Sequence, residues 1–137
     1  MIKVMVVEDN DLVRDSLVDL LGTTPGFSVT SECCDGDEVL EAARRFRPDV
    51  VLMDIILARV DGLEATRRLL AEDPGSRVVL LTGYVSTERV RQARQMGVDG
   101  FQLKDGEPAE LLDAIRTVAA GGSAWTPAVE VYLRYDS

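Results

Sequence analysis

Histidine is absent from the 137 residues, which excludes His-based nucleophilic triads and most zinc chemistry. Cysteine is scarce. The two present, Cys33 and Cys34, are adjacent, a spacing that suits neither an ordinary disulfide nor a CxxC redox or metal motif. They read as reduced thiols of a cytosolic protein. No apolar run approaches the roughly 18 residues of a membrane span, and a strand pattern begins at the first residues, leaving no room for a signal peptide. A cytoplasmic protein without a membrane partner is expected. A basic surplus is missing as well: 24 acidic residues against 15 basic give a net charge of −9, a surface that repels nucleic acid. Among the cations lysine is nearly lacking, with only Lys3 and Lys104 beside 13 arginines.

What is present is a strand-then-helix alternation repeated five times. Its centre is Val50-Val51-Leu52-Met53-Asp54, four apolar residues closed by a carboxylate. A run so short and rich in valine predicts a strand buried on both faces that delivers Asp54 at its C-terminal end. Ile2 to Val7 is a second such run and hands over to Glu8-Asp9; Val78 to Leu81 is a third and ends in Thr82-Gly83. Phe27 to Thr30 alternates apolar and polar, and the short stretch Asp99 to Leu103 ends in Lys104. Between them lie helical patterns: Leu12 to Leu21 stopped by Gly22, Val39 to Phe46 stopped by Pro48, a helix after Asp61-Gly62, Val90 to Met96 stopped by Gly97, and Pro108 to Val118 stopped by Gly121-Gly122.

With right-handed crossovers this pattern predicts an α/β fold, a flavodoxin-like (βα)5 doubly wound parallel sheet. The near-continuous apolar strands belong in the middle and the second and fifth at the edges, which gives the order 2-1-3-4-5 with its switch point between strands one and three. Glu8, Asp9 and Asp54 then converge on one crevice. Three carboxylates in a low-dielectric cleft repel one another, and a hard divalent cation, Mg2+, relieves that cost. Thr82 offers a hydroxyl and Lys104 an ammonium from the opposite side, the two donors a phosphoryl group would want.

These residues carry a resemblance. Through Val6 to Arg14, Arg47 to Ile55, Asp61-Gly62, Leu80 to Gly83 and Gly100 to Asp105, the chain resembles the receiver domain of two-component response regulators, within them the NarL/FixJ (LuxR-type) branch. The resemblance implies that Asp54 accepts a phosphoryl group from a sensor histidine kinase. It implies Mg2+ held by Asp9, Asp54, the carbonyl of Ile56 and, through water, Glu8. Thr82 closes on the phosphoryl group, Lys104 pairs with it, and Phe101 is the aromatic that changes rotamer. Ile56 and Tyr84, two past the acceptor and two past the threonine, flank the path of hydrolytic water and are expected to slow its attack. Such a protein is a switch that turns over only its own phosphoryl group, not an enzyme, and it pairs with a second receiver as a homodimer or with an effector domain.

Two departures stand out. Ala58, preceded by Leu57, replaces the usual proline four residues past the acceptor, so a looser loop is expected after Asp54. Asp105 replaces the proline that often follows the lysine, leaving the isomer of that bond open. Residues 1–122 read as the receiver. Residues 123–137 read as a linker stub, resembling the segment that leads to a C-terminal helix-turn-helix domain not contained in this sequence; DNA would be reached, and transcription controlled, only through such a domain. Two rivals are a phosphorylation-independent pseudo-receiver and a haloacid-dehalogenase-type aspartyl-phosphate phosphatase. The latter needs a DxD after strand one, where this chain has Glu8-Asp9-Asn10.

Overall fold

Val50–Asp54 forms the central strand β3, with all five of its side chains buried. In the computed structural model, which describes residues 1–135, it lies in a wholly parallel sheet with β1 (Ile2–Val7), β2 (Phe27–Cys33), β4 (Val78–Thr82), β5 (Gly100–Leu103) and β6 (Ala124–Trp125). The order is β2-β1-β3-β4-β5-β6. The order deduced from strand composition therefore holds for the first five strands, and the fold is the doubly wound sheet expected of them. β1, β3 and β4 are the strands whose faces are both covered, which is why they read as unbroken apolar runs.

The helices are α1 (Asp11–Thr23), α2 (Val39–Phe46), α3 (Gly62–Glu72), α4 (Thr87–Met96), α5 (Pro108–Ala119) and the single turn α6 (Pro127–Glu130). Their starts are set by side-chain caps: Asn10 accepts from Val13 N, Asp61 from Glu64 N and Ser86 from Arg89 N. Pro108 opens α5 where a missing N–H costs nothing, and Gly97 closes α4 in the left-handed region at φ 73°. One apolar layer, with Leu21, Leu52, Ile115 and Val118, lies between the sheet and α1 and α5. The other, with Met53, Leu69, Val90 and Phe101, lies under α2, α3 and α4.

The structure departs from the sequence reading at the C-terminal end. Residues 124–135, read from the sequence as part of a linker stub without a clear period, carry regular structure. Ala124 pairs with Gly100 and Trp125 with Phe101, after which α6 buries Val129 fully in the core and a 3-10 turn (Val131–Tyr135) lies against α4. β5 is therefore not the sheet edge. A two-residue strand and a one-turn helix are too short to leave a period in the sequence. Leu12, counted with the apolar stripe of α1, is instead 80% exposed.

The loop after Asp54 is also firmer than the missing proline suggested. Leu57 is buried, and Gly62 N donates to Ile55 O at 2.7 Å. The approach is so close that a Cβ on Gly62 would stand 2.0 Å from the Asp54 carbonyl oxygen; only glycine lets α3 begin directly behind the strand end. Among the described residues no peptide bond is cis, that between Lys104 and Asp105 included.

Candidate functional site

Because all strands are parallel, the C-terminal ends of β1, β3, β4 and β5 open on one crevice, at the point where the strand order reverses between β1 and β3. Glu8 and Asp54 lie at its floor, 0% and 4% exposed, while Asp9 stands exposed at the rim. One carboxylate oxygen from each lies within 4.8 Å of the other two.

Lysine 104 holds this charge together. Its Nζ donates to Glu8 Oε1 and, at 3.0 Å, to Asp54 Oδ2. Burial pushes the Lys104 ammonium toward its neutral form, but the bonds to the two carboxylates more than offset this and hold it above its ordinary range. The remaining oxygens find backbone donors: Asn10 N reaches Glu8 Oε2 at 3.3 Å and Ile56 N reaches Asp54 Oδ1 at 3.3 Å. Arg14 Nη1 fixes the corner by donating to the Glu8 carbonyl at 2.9 Å.

One cation does not balance three acids. Asp9 is pushed above the ordinary aspartate range, first by burial and then by the hydrogen bond and charge of Glu8. The donors are all hard oxygens, so the cluster suits a small divalent cation rather than a soft metal. Asp9-Asn10-Asp11 does carry a DxD spacing, but Asp11 is an exposed residue of the first turn of α1, bonded to Arg14 Nη2 at 2.7 Å, and is not one of the clustered carboxylates, so the geometry gives no support to a dehalogenase-type phosphatase.

Thr82 is fully buried at the end of β4. Its Oγ1 donates to Tyr84 O at 3.0 Å and accepts from Tyr84 N at 3.1 Å, so the hydroxyl proton is committed to the following loop. Lys104 N bonds Thr82 O at 2.9 Å, which ties the ends of β4 and β5 together. Phe101 is fully buried, its ring centroid 5.4 Å from that of Trp125 and tilted by 46°. Ile56 and Tyr84 are 48% and 66% exposed, and the Arg89 guanidinium lies 5.6 Å from the centre of the Tyr84 ring.

Sequence reasoning passed over Asp35. Its carboxylate is buried and accepts from Arg59 N at 2.8 Å, Val60 N at 3.0 Å and Asp37 N at 3.2 Å, while Glu38 reaches back to Asp35 N at 2.8 Å. Burial raises the Asp35 carboxyl, but the three backbone donors pull it down further, to about 2. Asp35 thus staples the loop that follows Asp54. The local signal was legible as an acid followed three residues later by glutamate, a capping-box pattern; the distant loop it holds was not.

Residues 4–116 match the family described as the response regulator receiver domain. The chain belongs to that family. Among curated relatives, the response regulator GacA of Pseudomonas syringae pv. syringae (strain B728a) is 38% identical over 137 residues, covering 100% of this chain and 64% of the relative. The response regulator protein VraR of Staphylococcus aureus (strain Mu3 / ATCC 700698) is 33% identical over 133 residues, covering 97% of this chain and 64% of the relative. The receiver thus spans just under two thirds of the length of these relatives. A crystal structure of a LuxR-family two-component response regulator from Aurantimonas sp. SI85-9A1 superposes with a TM-score of 0.92 at 30% identity, covering 99% of this chain and 97% of the other. The receiver's neighbours are of the NarL/LuxR type, as the sequence motifs implied.

Proposed function

We propose that this receiver takes a phosphoryl group from a sensor histidine kinase onto Asp54 and passes the change to an effector that acts on transcription. The observation that carries the reading is the placement of Asp54: a nearly buried carboxylate, bonded to the only lysine of the crevice and within reach of Glu8 and Asp9. An Asp54 oxygen attacks phosphorus, the bond from phosphorus to the donor's imidazole nitrogen breaks, and that nitrogen keeps the electron pair and takes a proton. Glu8, Asp9, Asp54 and the Ile56 carbonyl would hold Mg2+, which supplies charge neutralisation for the phosphoryl oxygens. Lys104 pairs with the product. Thr82 gives up its bond to the Tyr84 carbonyl and donates to the phosphoryl group instead, and residues 83–86 follow it. Phe101 is the aromatic that answers on β5. The receiver turns over only its own phosphoryl group. The cell compartment is the cytoplasm, and DNA is contacted by an effector domain rather than by this acidic receiver.

The test is incubation with a small phosphodonor, with and without Mg2+, followed by intact-mass measurement. One hydroxylamine-labile phosphate that requires the metal supports the reading; no phosphate, or one that EDTA does not prevent, contradicts it.

The lifetime of the phosphorylated form follows from Ile56 and Tyr84. Both side chains are bulky and Ile56 has no polar atom to orient attacking water, and poor positioning of a nucleophile costs about 1.4 kcal/mol for each tenfold in rate. Changing Ile56→Asn and Tyr84→Ala, singly and together, should speed phosphate loss severalfold with little change in Mg2+ affinity. Unchanged decay in the double variant would remove this role.

A further inference from the structure

The segment that closes the sheet is held differently from the rest of the fold. β6 is bonded to β5 through Ala124 N to Asp99 O at 2.8 Å and Thr126 N to Phe101 O at 3.0 Å. Two side chains add to this: Gln102 Nε2 donates to Ala124 O at 2.9 Å, and Trp125 Nε1 donates to Val98 O at 3.2 Å. Beyond them Val129 is the one fully buried side chain among residues 124–134, while Trp125, Tyr132 and Leu133 are half-buried. A two-residue strand with one fully buried side chain behind it is a smaller and less buried unit than any other strand of the sheet, and opens at lower cost than the core it covers.

This weakly held strap meets the functional crevice at one point. Phe101 packs on Trp125 from β5, and β5 runs straight on to Lys104, whose backbone is bonded to Thr82. Gly100 allows the close approach: a Cβ there would stand 3.2 Å from the Ala124 carbonyl and 3.1 Å from a Val79 methyl. The same four-residue strand therefore carries the buried aromatic and the docking edge of the strap, and Lys104 follows directly on its C-terminal end.

We infer that residues 124–133 form a displaceable strap over the β5 edge, and that its docking through Trp125 on Phe101 opposes occupation of Asp54 by a phosphoryl group. The inference rests on the phospho-acceptor reading of Asp54. When Thr82 and Lys104 close on the phosphoryl group, the end of β5 moves with them and Phe101 turns away from the indole. Trp125 then keeps only edge hydrogen bonds, and the strap lifts. Until it lifts, β6 occupies the carbonyls of Asp99 and Phe101 on the outer edge of β5, so no other strand can pair there. By linkage, whatever loosens the strap strengthens binding at Asp54 by the same factor.

Trp125 is the only tryptophan, so its fluorescence reads the strap directly in the full chain. The sample is phosphorylated with a small phosphodonor and Mg2+, and intact mass and tryptophan emission are followed together. Phosphate incorporation with red-shifted emission and severalfold greater acrylamide quenching is the expected result. Full incorporation with unchanged emission and quenching overturns the strap alone. No mass increase overturns the phospho-acceptor reading and the coupling with it, and the mass distinguishes the two failures. The reverse arm uses Trp125→Ala and Gln102→Ala, checked for native circular dichroism, with beryllofluoride and Mg2+ as the probe. Severalfold tighter binding than wild type is expected; equal affinity in both variants overturns the coupling.

Discussion

Replacing Lys104 by Met should destabilise the protein in the absence of Mg2+ by about 2–3 kcal/mol near neutral pH, somewhat less than the roughly 3–5 kcal/mol for breaking a fully buried ion pair because the lysine side chain is 26% exposed. The loss comes from what is left behind. Glu8 and Asp54 would remain at the crevice floor with backbone donors alone, and the repulsion that Lys104 offsets would act in full. Two features separate this from an ordinary core defect. The deficit should shrink in acid, where carboxylates take up protons, and it should shrink on adding Mg2+, because a dication in the Glu8, Asp9 and Asp54 cluster does part of the same work. Urea denaturation at neutral and acid pH, with and without Mg2+, checks both. A variant equally destabilised under every condition would mean that Lys104 contributes packing rather than charge.

Replacing Asp35 by Ala should cost about 2–3 kcal/mol, an estimate that follows from a carboxyl held at about 2 against 3.8 for the ordinary group. The sign is that of a depressed acid. Its contribution is complete above about pH 4, falls as pH drops through the folded value near 2, and is absent below it. Wild type should therefore lose stability over that acid window by more than the variant does. The functional consequence is local: with Arg59 N and Val60 N released, residues 55–61 behind Asp54 should exchange amide hydrogen faster while β1 stays protected. Denaturation curves against pH, with hydrogen exchange at neutral pH, test this. Equal stability of the two proteins near neutral pH would show that the loop is held by Leu57 and Gly62 instead.

The central strands were legible because a parallel strand covered on both faces must be apolar throughout, as in Val50–Met53 and Val78–Leu81. The crevice was legible for the same reason: once five strands are parallel, any polar residue that ends one of them faces the others, so Glu8, Asp9, Asp54, Thr82 and Lys104 came together without knowledge of a single distance. What escaped was set by contacts distant in sequence. Asp35 binds a loop 24 and 25 residues away. The two-residue strand Ala124–Trp125 exists only because Gly100 and Phe101 offer it an edge. The loop at Leu57 and Ala58 looked slack for want of a proline, yet its order comes from Asp35 and from the close packing of Gly62, not from a ring. The Thr82 hydroxyl was assigned to the crevice by its position, and its bond to Tyr84 could be seen only in three dimensions.

The most direct measurement is intact-mass analysis of wild type and Asp54→Asn after exposure to a small phosphodonor with Mg2+, with the modified peptide mapped. The amide fills the same volume and is a poor nucleophile, so the fold should persist while phosphorylation is lost. The account predicts one hydroxylamine-labile phosphate on the wild-type peptide containing Asp54 and none on the variant. A variant that still takes up a Mg2+-dependent, hydroxylamine-labile phosphate at the wild-type rate would contradict it.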